Sequence, residues 1–200
     1  MAAMASGGSP LPPSAGVRPP PRVVGIAGAS GSGKSTLASL LHMHYGCRCA
    51  DVIRLDAFYR QAEWVSGRFD PRWESPDALD YAACADAVKR AVCESGDAYV
   101  FVEGFLLFHE PSPLLPLLDT RILLEVSSRT ALRRRHQRGL DGLDLPTLEV
   151  AWLSVIWPSY VSHTAHLRAD TSIFRVNAEA PVRAVVDLSL IHISEPTRRT

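Results

Sequence analysis

The stretch GASGSGKST, residues 28–36, decides the fold. Gly28, four residues, then Gly33, Lys34 and Ser35 is the spacing of a phosphate-binding P-loop. The chemistry explains the residue types. Glycines let backbone N–H groups turn inward around phosphate oxygens with no Cβ in the way. The helix that follows offers its positive N-terminus to the same anion. Lys34 adds a point charge for the β- and γ-phosphates, and the Ser35 hydroxyl can ligate Mg²⁺. Gly28, Ala29, Ser30, Gly31, Ser32, Gly33, Lys34, Ser35 and Thr36 form the expected nucleotide-binding set. The competing reading is a glycine-rich loop without function. A strand before it and a helix after it argue against that.

Both flanks supply this context. RVVGIA, residues 22–27, reads as a buried strand, and residues 34–45 read as a helix. Further along, short apolar runs predict strands at 49–55, 99–102, 121–126 and 172–176. Helical patterns fill 77–94, 129–138, 146–166 and the stretch from 181. In the first of these, Leu79, Ala83, Ala87 and Ala91 recur at four-residue steps. Short continuous apolar strands separated by helices predict an α/β fold, a parallel sheet covered on both faces. RFDPRWESPDALDY, residues 68–81, fits neither element, with two prolines, four acids and three aromatic rings.

Two acids stand where a phosphoryl-transfer enzyme needs them. Asp56 follows the second strand in RLDAFYR, and Glu103 follows the third in VFVEGFLLF. Ligands of parallel sheets collect at the carboxyl ends of strands, so both acids are expected at the mouth of the P-loop. Phosphoryl transfer needs an oriented acceptor hydroxyl, a proton acceptor and neutralised phosphate charge. Asp56 is the candidate base and a Mg²⁺ neighbour. Glu103 is the candidate acid that holds metal-bound water. Lys34, Asp56 and Glu103 make up the catalytic set, and Ser35, Asp56 and Glu103 the metal set. The alternative for either acid alone is a cap on the next helix. SSRTALRRRHQRGLDGLDL then places Arg133, Arg134, Arg135 and Arg138 ahead of a loop with Gly139 and Gly142. Arg134 and Arg138 share a helix face, as do Arg135 and Arg138, so several guanidiniums can meet a triphosphate under a closing lid. A solvated basic helix is the plain alternative. The chain lacks the N-K-x-D motif that a GTPase would need.

Composition sets the remaining bounds. Two hundred residues suit one domain with a sizeable core. Twenty-one basic and 21 acidic residues cancel, which disfavours a nucleic-acid or membrane partner. No apolar run approaches the roughly 20 residues needed to span a bilayer. Four cysteines without metal-ligand spacing predict reduced thiols in a cytoplasmic or nuclear protein. Residues 1–21, rich in Ala, Gly, Ser and Pro, read as a disordered tail. SLIHISEPTRRT, residues 189–200, abandons the preceding helical pattern and resembles translated adapter sequence. The expected domain is therefore 22–188, with its last helix cut short.

Taken in order, GASGSGKST, LDAFYR, WESPDALDY, VEGFLLF, RRRHQR and WPSY resemble the nicotinamide riboside kinases over about residues 22–186. Uridine kinase is the nearest rival, with a similar Asp-x-Phe-Tyr segment. The resemblance implies a P-loop fold with a five-stranded parallel sheet in the order 2-3-1-4-5 and a lid. It implies Mg²⁺-dependent transfer from ATP, or alternatively GTP, to the 5′-hydroxyl of nicotinamide riboside, giving nicotinamide mononucleotide for NAD synthesis. By the same resemblance Asp56, Phe58, Tyr59, Trp73, Glu74 and Arg135 contact the substrate, with Trp73 against the nicotinamide ring and Glu74 on the ribose hydroxyls. Arg134 and Arg138 match ATP contacts, and residues 176–178 lie beside adenine. The partner is a small-molecule nucleoside, and the protein is a monomer or small homo-oligomer. Two positions depart from the pattern: Ala57 replaces a second acid, and Leu140 replaces a lid aromatic, a loss for which Tyr160 or Trp157 could compensate. The other readings are a kinase of uridine or another nucleoside, and a non-catalytic nucleotide-binding or scaffold protein.

Overall fold

A computed structural model describes residues 19–47, 51–60, 71–139 and 142–194. Five parallel strands form one sheet in the order β2-β3-β1-β4-β5. They are β1 (Arg22–Gly28), β2 (Ile53–Arg54), β3 (Tyr99–Gly104), β4 (Thr120–Glu125) and β5 (Phe174–Asn177). This is the α/β class and the strand order expected above.

Strand alternation sorts the core into two layers. Val23 and Ala27 of β1, Val100 and Val102 of β3, and Leu123 of β4 pack on one face. Helix α2 (Tyr81–Glu94) covers that face with Cys84, Ala85 and Val88. Val24, Ile26, Phe101, Ile122 and Leu124 point to the other face, under α1 (Lys34–His44) and α6 (Val182–Ser194). A third cluster joins α3 (Ser128–Gln137) to α4 (Leu145–Ala151) through Ala131, Leu132, Leu148 and Trp152. Among the described residues, no helix is long and apolar enough to cross a membrane, and Cys47, Cys84 and Cys93 are free thiols.

The elements depart from expectation in four places. Helix α2 starts at Tyr81 rather than residue 77, because Leu79 pairs with Tyr59 in a β-bridge and Pro76–Ala78 is a 3-10 turn. Asp80 then caps the helix by accepting from the Ala83 N–H at 2.9 Å. β2 shrinks to two residues at the sheet edge, and β5 runs from Phe174 to Asn177. The run expected at 146–166 is interrupted by a π-helical turn, Trp152–Ile156, before α5 (Trp157–Thr164). Pro158 has no N–H to give the preceding turn, and a π-turn absorbs that break. Finally, α6 continues through Ser194, with Ser189 and Ile193 fully buried, so the pattern break at 189 does not end the helix. Residues 1–18, the start of the second predicted strand at Cys49, residues 68–70, Leu140 and residues 195–200 lie outside the described residues.

Candidate active site

The P-loop leaves β1 at its carboxyl end and wraps the start of α1. Gly33, at φ 98°, turns the chain into that helix, and among the described residues no side chain caps it. Its first N–H groups are left for a ligand, where the helix dipole favours an anion. Inside the loop, Ala29 O accepts from both Ser32 N (3.0 Å) and Lys34 Nζ (3.1 Å). The Ser32 hydroxyl is buried and has no hydrogen-bond partner among the described residues. A buried unpaired hydroxyl is costly, and a phosphate oxygen would satisfy it.

Strand register brings the acids in. Glu103 lies beside Ile26 of β1 and Arg54 of β2, and is 3% exposed. It accepts from the Ser35 hydroxyl at 2.8 Å, and the Arg54 guanidinium lies 3.8 Å away. Because the Ser35 hydroxyl donates its hydrogen bond to Glu103, its lone pairs remain for a cation. Gly104 lets β3 end hard against β2's exit: a Cβ there would lie 2.6 Å from Leu55 Cβ. Asp56 is the second residue of the 3-10 turn Leu55–Phe58, exposed and lining the same cleft. Two backbone bonds, Arg60 N to Ala78 O and Asp80 N to Phe58 O, both 2.8 Å, stitch the end of that turn to residues 78–80.

Burial pulls the Lys34 pKa below its ordinary value, and Glu103 and Asp56 oppose the shift without cancelling it. The folded state thus binds this proton less readily than the unfolded chain. Stability rises with pH from the lowered folded value up to lysine's usual range near 10.4. Lys34→Met should therefore raise the melting temperature of the nucleotide-free protein at pH 7. Its advantage over wild type should narrow as pH rises, and added ATP should no longer shift the melt. Calorimetric melts at several pH values check this, and a variant that melts lower than wild type at pH 7 would contradict it.

Three clefts follow one another around the loop. The first, about 230 Å³, is mainly apolar and has Leu37, Leu124, Ala178, Val182 and Val185 in its wall. The second, about 300 Å³, lies over Gly33 to Thr36 and is flanked by Arg134 and Arg138. The third, about 230 Å³, holds Asp56, Glu74, Glu103 and Arg135, with Tyr59 and Phe105 as its aromatic members. Gly33, Thr36 and Arg134 belong to the first and second clefts, and Lys34, Ser35 and Arg138 to the second and third. The three are one path with the P-loop at its centre.

The sequence-predicted residues distribute along this path. Arg134 donates to Ala178 O at 3.0 Å and Arg138 to the Ser30 hydroxyl at 3.4 Å. Trp73 stands beside the third cleft, its ring edge-on to Tyr59 at 5.4 Å, while Tyr59 donates to Trp73 O at 3.2 Å. Tyr59 and Phe105 are stacked at 6.5 Å and 18°. Phe58 packs against the α2-side core instead of lining the cleft. Trp157 and Tyr160 line a different cleft with Glu125 and Arg175, so neither ring faces the third cleft. Sequence reasoning missed Phe105 and Arg54. Phe105 could have been found as the second residue after Glu103 at a strand's carboxyl end, and Arg54 as its cross-strand neighbour.

The donor set fits Mg²⁺: a hydroxyl and two carboxylates are hard oxygen ligands, and Mg²⁺ commonly takes one or two carboxylates plus substrate phosphates. Among the described residues, no group of three or more His, Cys, Asp and Glu could hold a metal by itself. Phosphate oxygens would have to complete the sphere.

No protein-family model matches the chain. It is 24% identical over 170 residues to a uridine kinase of Clostridium perfringens, covering 72% of this chain and 81% of that one. It is 26% identical over 188 residues to the nicotinamide riboside kinase of Schizosaccharomyces pombe, covering 72% and 80%. Among solved structures, a sugar kinase from Janibacter sp. superposes with a TM-score of 0.58 at 17% identity, covering 87% of this chain and 95% of that one. Deoxyadenosine kinase from M. mycoides gives 0.51 at 18% identity, covering 86% and 99%. The chain has the fold of the P-loop kinases, and by sequence it is similar to nucleoside kinases.

Proposed function

We propose that this protein is an ATP-dependent nucleoside kinase whose acceptor is the 5′-hydroxyl of nicotinamide riboside. The observation that carries the reading is the unbroken path of three clefts: an apolar one sized for a base, a cationic one over the P-loop, and one with aromatic and acidic walls. Adenine would lie between Leu37 and Val185, the phosphates over Gly33 to Thr36, and the nucleoside between Asp56 and Glu74. Asp56 accepts the proton of the attacking hydroxyl. Lys34 and Arg138, which border both the phosphate and acceptor clefts, meet the charge that develops on the transferred group. Glu103 orients Ser35 by accepting the hydrogen bond of its hydroxyl. A bound Mg²⁺ would supply further neutralisation of the phosphate charge from a site formed by Ser35, Asp56 and Glu103.

The pyridinium ring of nicotinamide riboside is cationic. Aromatic rings attract a cation by about 0.5–2 kcal/mol, more when water is excluded. The stacked Tyr59–Phe105 pair favours a cationic base over neutral uracil, while the carboxylates of Asp56, Glu74 and Glu103 are balanced in the same cleft by Lys34, Arg135 and Arg138. A uridine acceptor is the second reading, favoured by the uridine kinases among the sequence relatives. Product identity tests both: mass spectrometry and phosphorus NMR should find a 5′-monophosphate of nicotinamide riboside, and a larger yield of uridine monophosphate would reverse the order.

Trp73 supports this cleft through Tyr59. Trp73→Ala should raise the acceptor KM by about two- to tenfold, the value of one aromatic contact, with the KM for ATP unchanged. Steady-state kinetics in each substrate measure it. An equal rise for ATP would remove Trp73 from the acceptor side.

A further inference from the structure

Glu103 has a neighbour with no part in the transfer itself. Its carboxylate is almost wholly buried, and a buried charge needs a partner. The Ser35 hydroxyl donates to Oε1 at 2.8 Å, and Arg54 Nε lies 3.8 Å from the same oxygen. Register explains the second contact. Ile53 and Arg54 of β2 pair with Val102 and Glu103 of β3, so the Arg54 and Glu103 side chains share one face of the sheet. The two ends of the pair differ: the Arg54 side chain is 60% exposed and that of Glu103 only 4%. Arg54 lines none of the three clefts, and β2 is the outermost strand, so the guanidinium reaches Glu103 from the sheet edge. An exposed guanidinium can turn out into water at little cost.

We propose that Arg54 is a positioning residue for the metal donors: it balances the buried Glu103 carboxylate and turns away when a divalent ion accompanies the nucleotide. Without nucleotide, the guanidinium is the cation within salt-bridge reach of Glu103 among the described residues. With a dication on Ser35 and Glu103, like charge would push the guanidinium back toward solvent. The attraction that Arg54 and Glu103 then lose offsets part of what the dication gains. Arg54 thereby weakens the hold on metal-bound nucleotide relative to free nucleotide. This inference rests on the reading of residues 28–36 as a triphosphate site and of Ser35, Asp56 and Glu103 as metal donors.

The test is calorimetric binding of ATP in EDTA and of ATP with Mn²⁺, with melting curves, on wild type, Arg54→Gln, Arg54→Lys and Arg90→Gln. The readout is the ratio of the two affinities. A merely structural role would move both affinities together and leave the ratio alone. In Arg54→Gln, Mn²⁺ should strengthen ATP binding by about three- to tenfold more than in wild type, the scale of one screened charge against a dication. That excess should shrink as salt is raised. Arg54→Lys keeps the charge and should keep the wild-type ratio. Arg90 is exposed on α2 and lines none of the three clefts, so Arg90→Gln, which removes the same charge, should also match wild type. The proposal is overturned if the ratio in Arg54→Gln is unchanged or smaller. It is equally overturned if Arg54→Lys or Arg90→Gln rises as much, or if Arg54→Gln fails to fold. Wild type that binds no ATP would instead refute the triphosphate reading, and ATP binding that Mn²⁺ does not strengthen would refute the metal donors beneath it.

Discussion

Asp56→Asn should lower turnover by about 10²–10⁴-fold, the usual worth of a general base, while nucleotide measured without Mg²⁺ binds as before. The amide keeps the size and polarity of the side chain and loses the ability to take a proton. Asp56 is exposed, so the substitution leaves no buried group unpaired and should lower the melting temperature only slightly, through the lost attraction to Lys34. It also borders only the acceptor cleft, whereas Lys34, Ser35 and Arg138 border both the acceptor and phosphate clefts. The loss should therefore appear in kcat. Single-turnover transfer and equilibrium nucleotide binding on the same preparation separate the two. Turnover within a few-fold of wild type would take Asp56 out of the base role.

Gly31→Ala should damage fold and function together. Gly31 sits at φ 81°, and a Cβ there would lie 2.3 Å from the Ala131 carbonyl oxygen of α3. The conformation alone costs about 1–3 kcal/mol for a residue with a side chain, and the clash is with backbone, which cannot swing aside. Relief requires the P-loop or α3 to retreat, and α3 carries Arg134, Arg135 and Arg138. Melting temperature should fall, and ATP should add little stabilisation to what remains. Gly33→Ala separates strain from clash: it has φ 98°, and its Cβ would meet nothing within 4 Å. Paired melts with and without ATP should rank wild type first, Gly33→Ala next and Gly31→Ala last. Equal melts for the two variants would contradict the close packing of loop on helix.

Much of this fold is legible in the sequence because buried parallel strands announce themselves as continuous apolar runs. RVVGIA and YVFVEG are sandwiched between helices, so neither face needs polar residues. β2 is harder, since a two-residue edge strand with Arg54 exposed carries almost no pattern. The start of α2 was obscured for a different reason. Leu79 has helical spacing from Ala83, yet its backbone is taken by the bridge to Tyr59, a tertiary contact that no local pattern reveals. Likewise the π-turn follows from Pro158, but its consequence, Tyr160 beside Trp157 and Glu125, depends on where α5 packs.

The site was legible where chemistry demands a residue at a fixed place on the chain. Lys34, Ser35, Asp56 and Glu103 come together because strand ends and a loop converge on one edge of the sheet. The acceptor cleft's walls were less so. Trp73 and Glu74 were visible as an odd pairing in an odd loop, yet the rings in the wall are Tyr59 and Phe105, with Trp73 behind Tyr59. A sequence shows which aromatics are near a site in the chain, while side-chain packing decides which of them faces the ligand.

The most direct test is ADP formation by the purified full chain with ATP and Mg²⁺, in the presence of nicotinamide riboside, uridine or no acceptor. ADP release should be slow with ATP alone, rise steeply when a nucleoside is added, and show the highest kcat/KM with nicotinamide riboside. ADP formation that no nucleoside accelerates would contradict it.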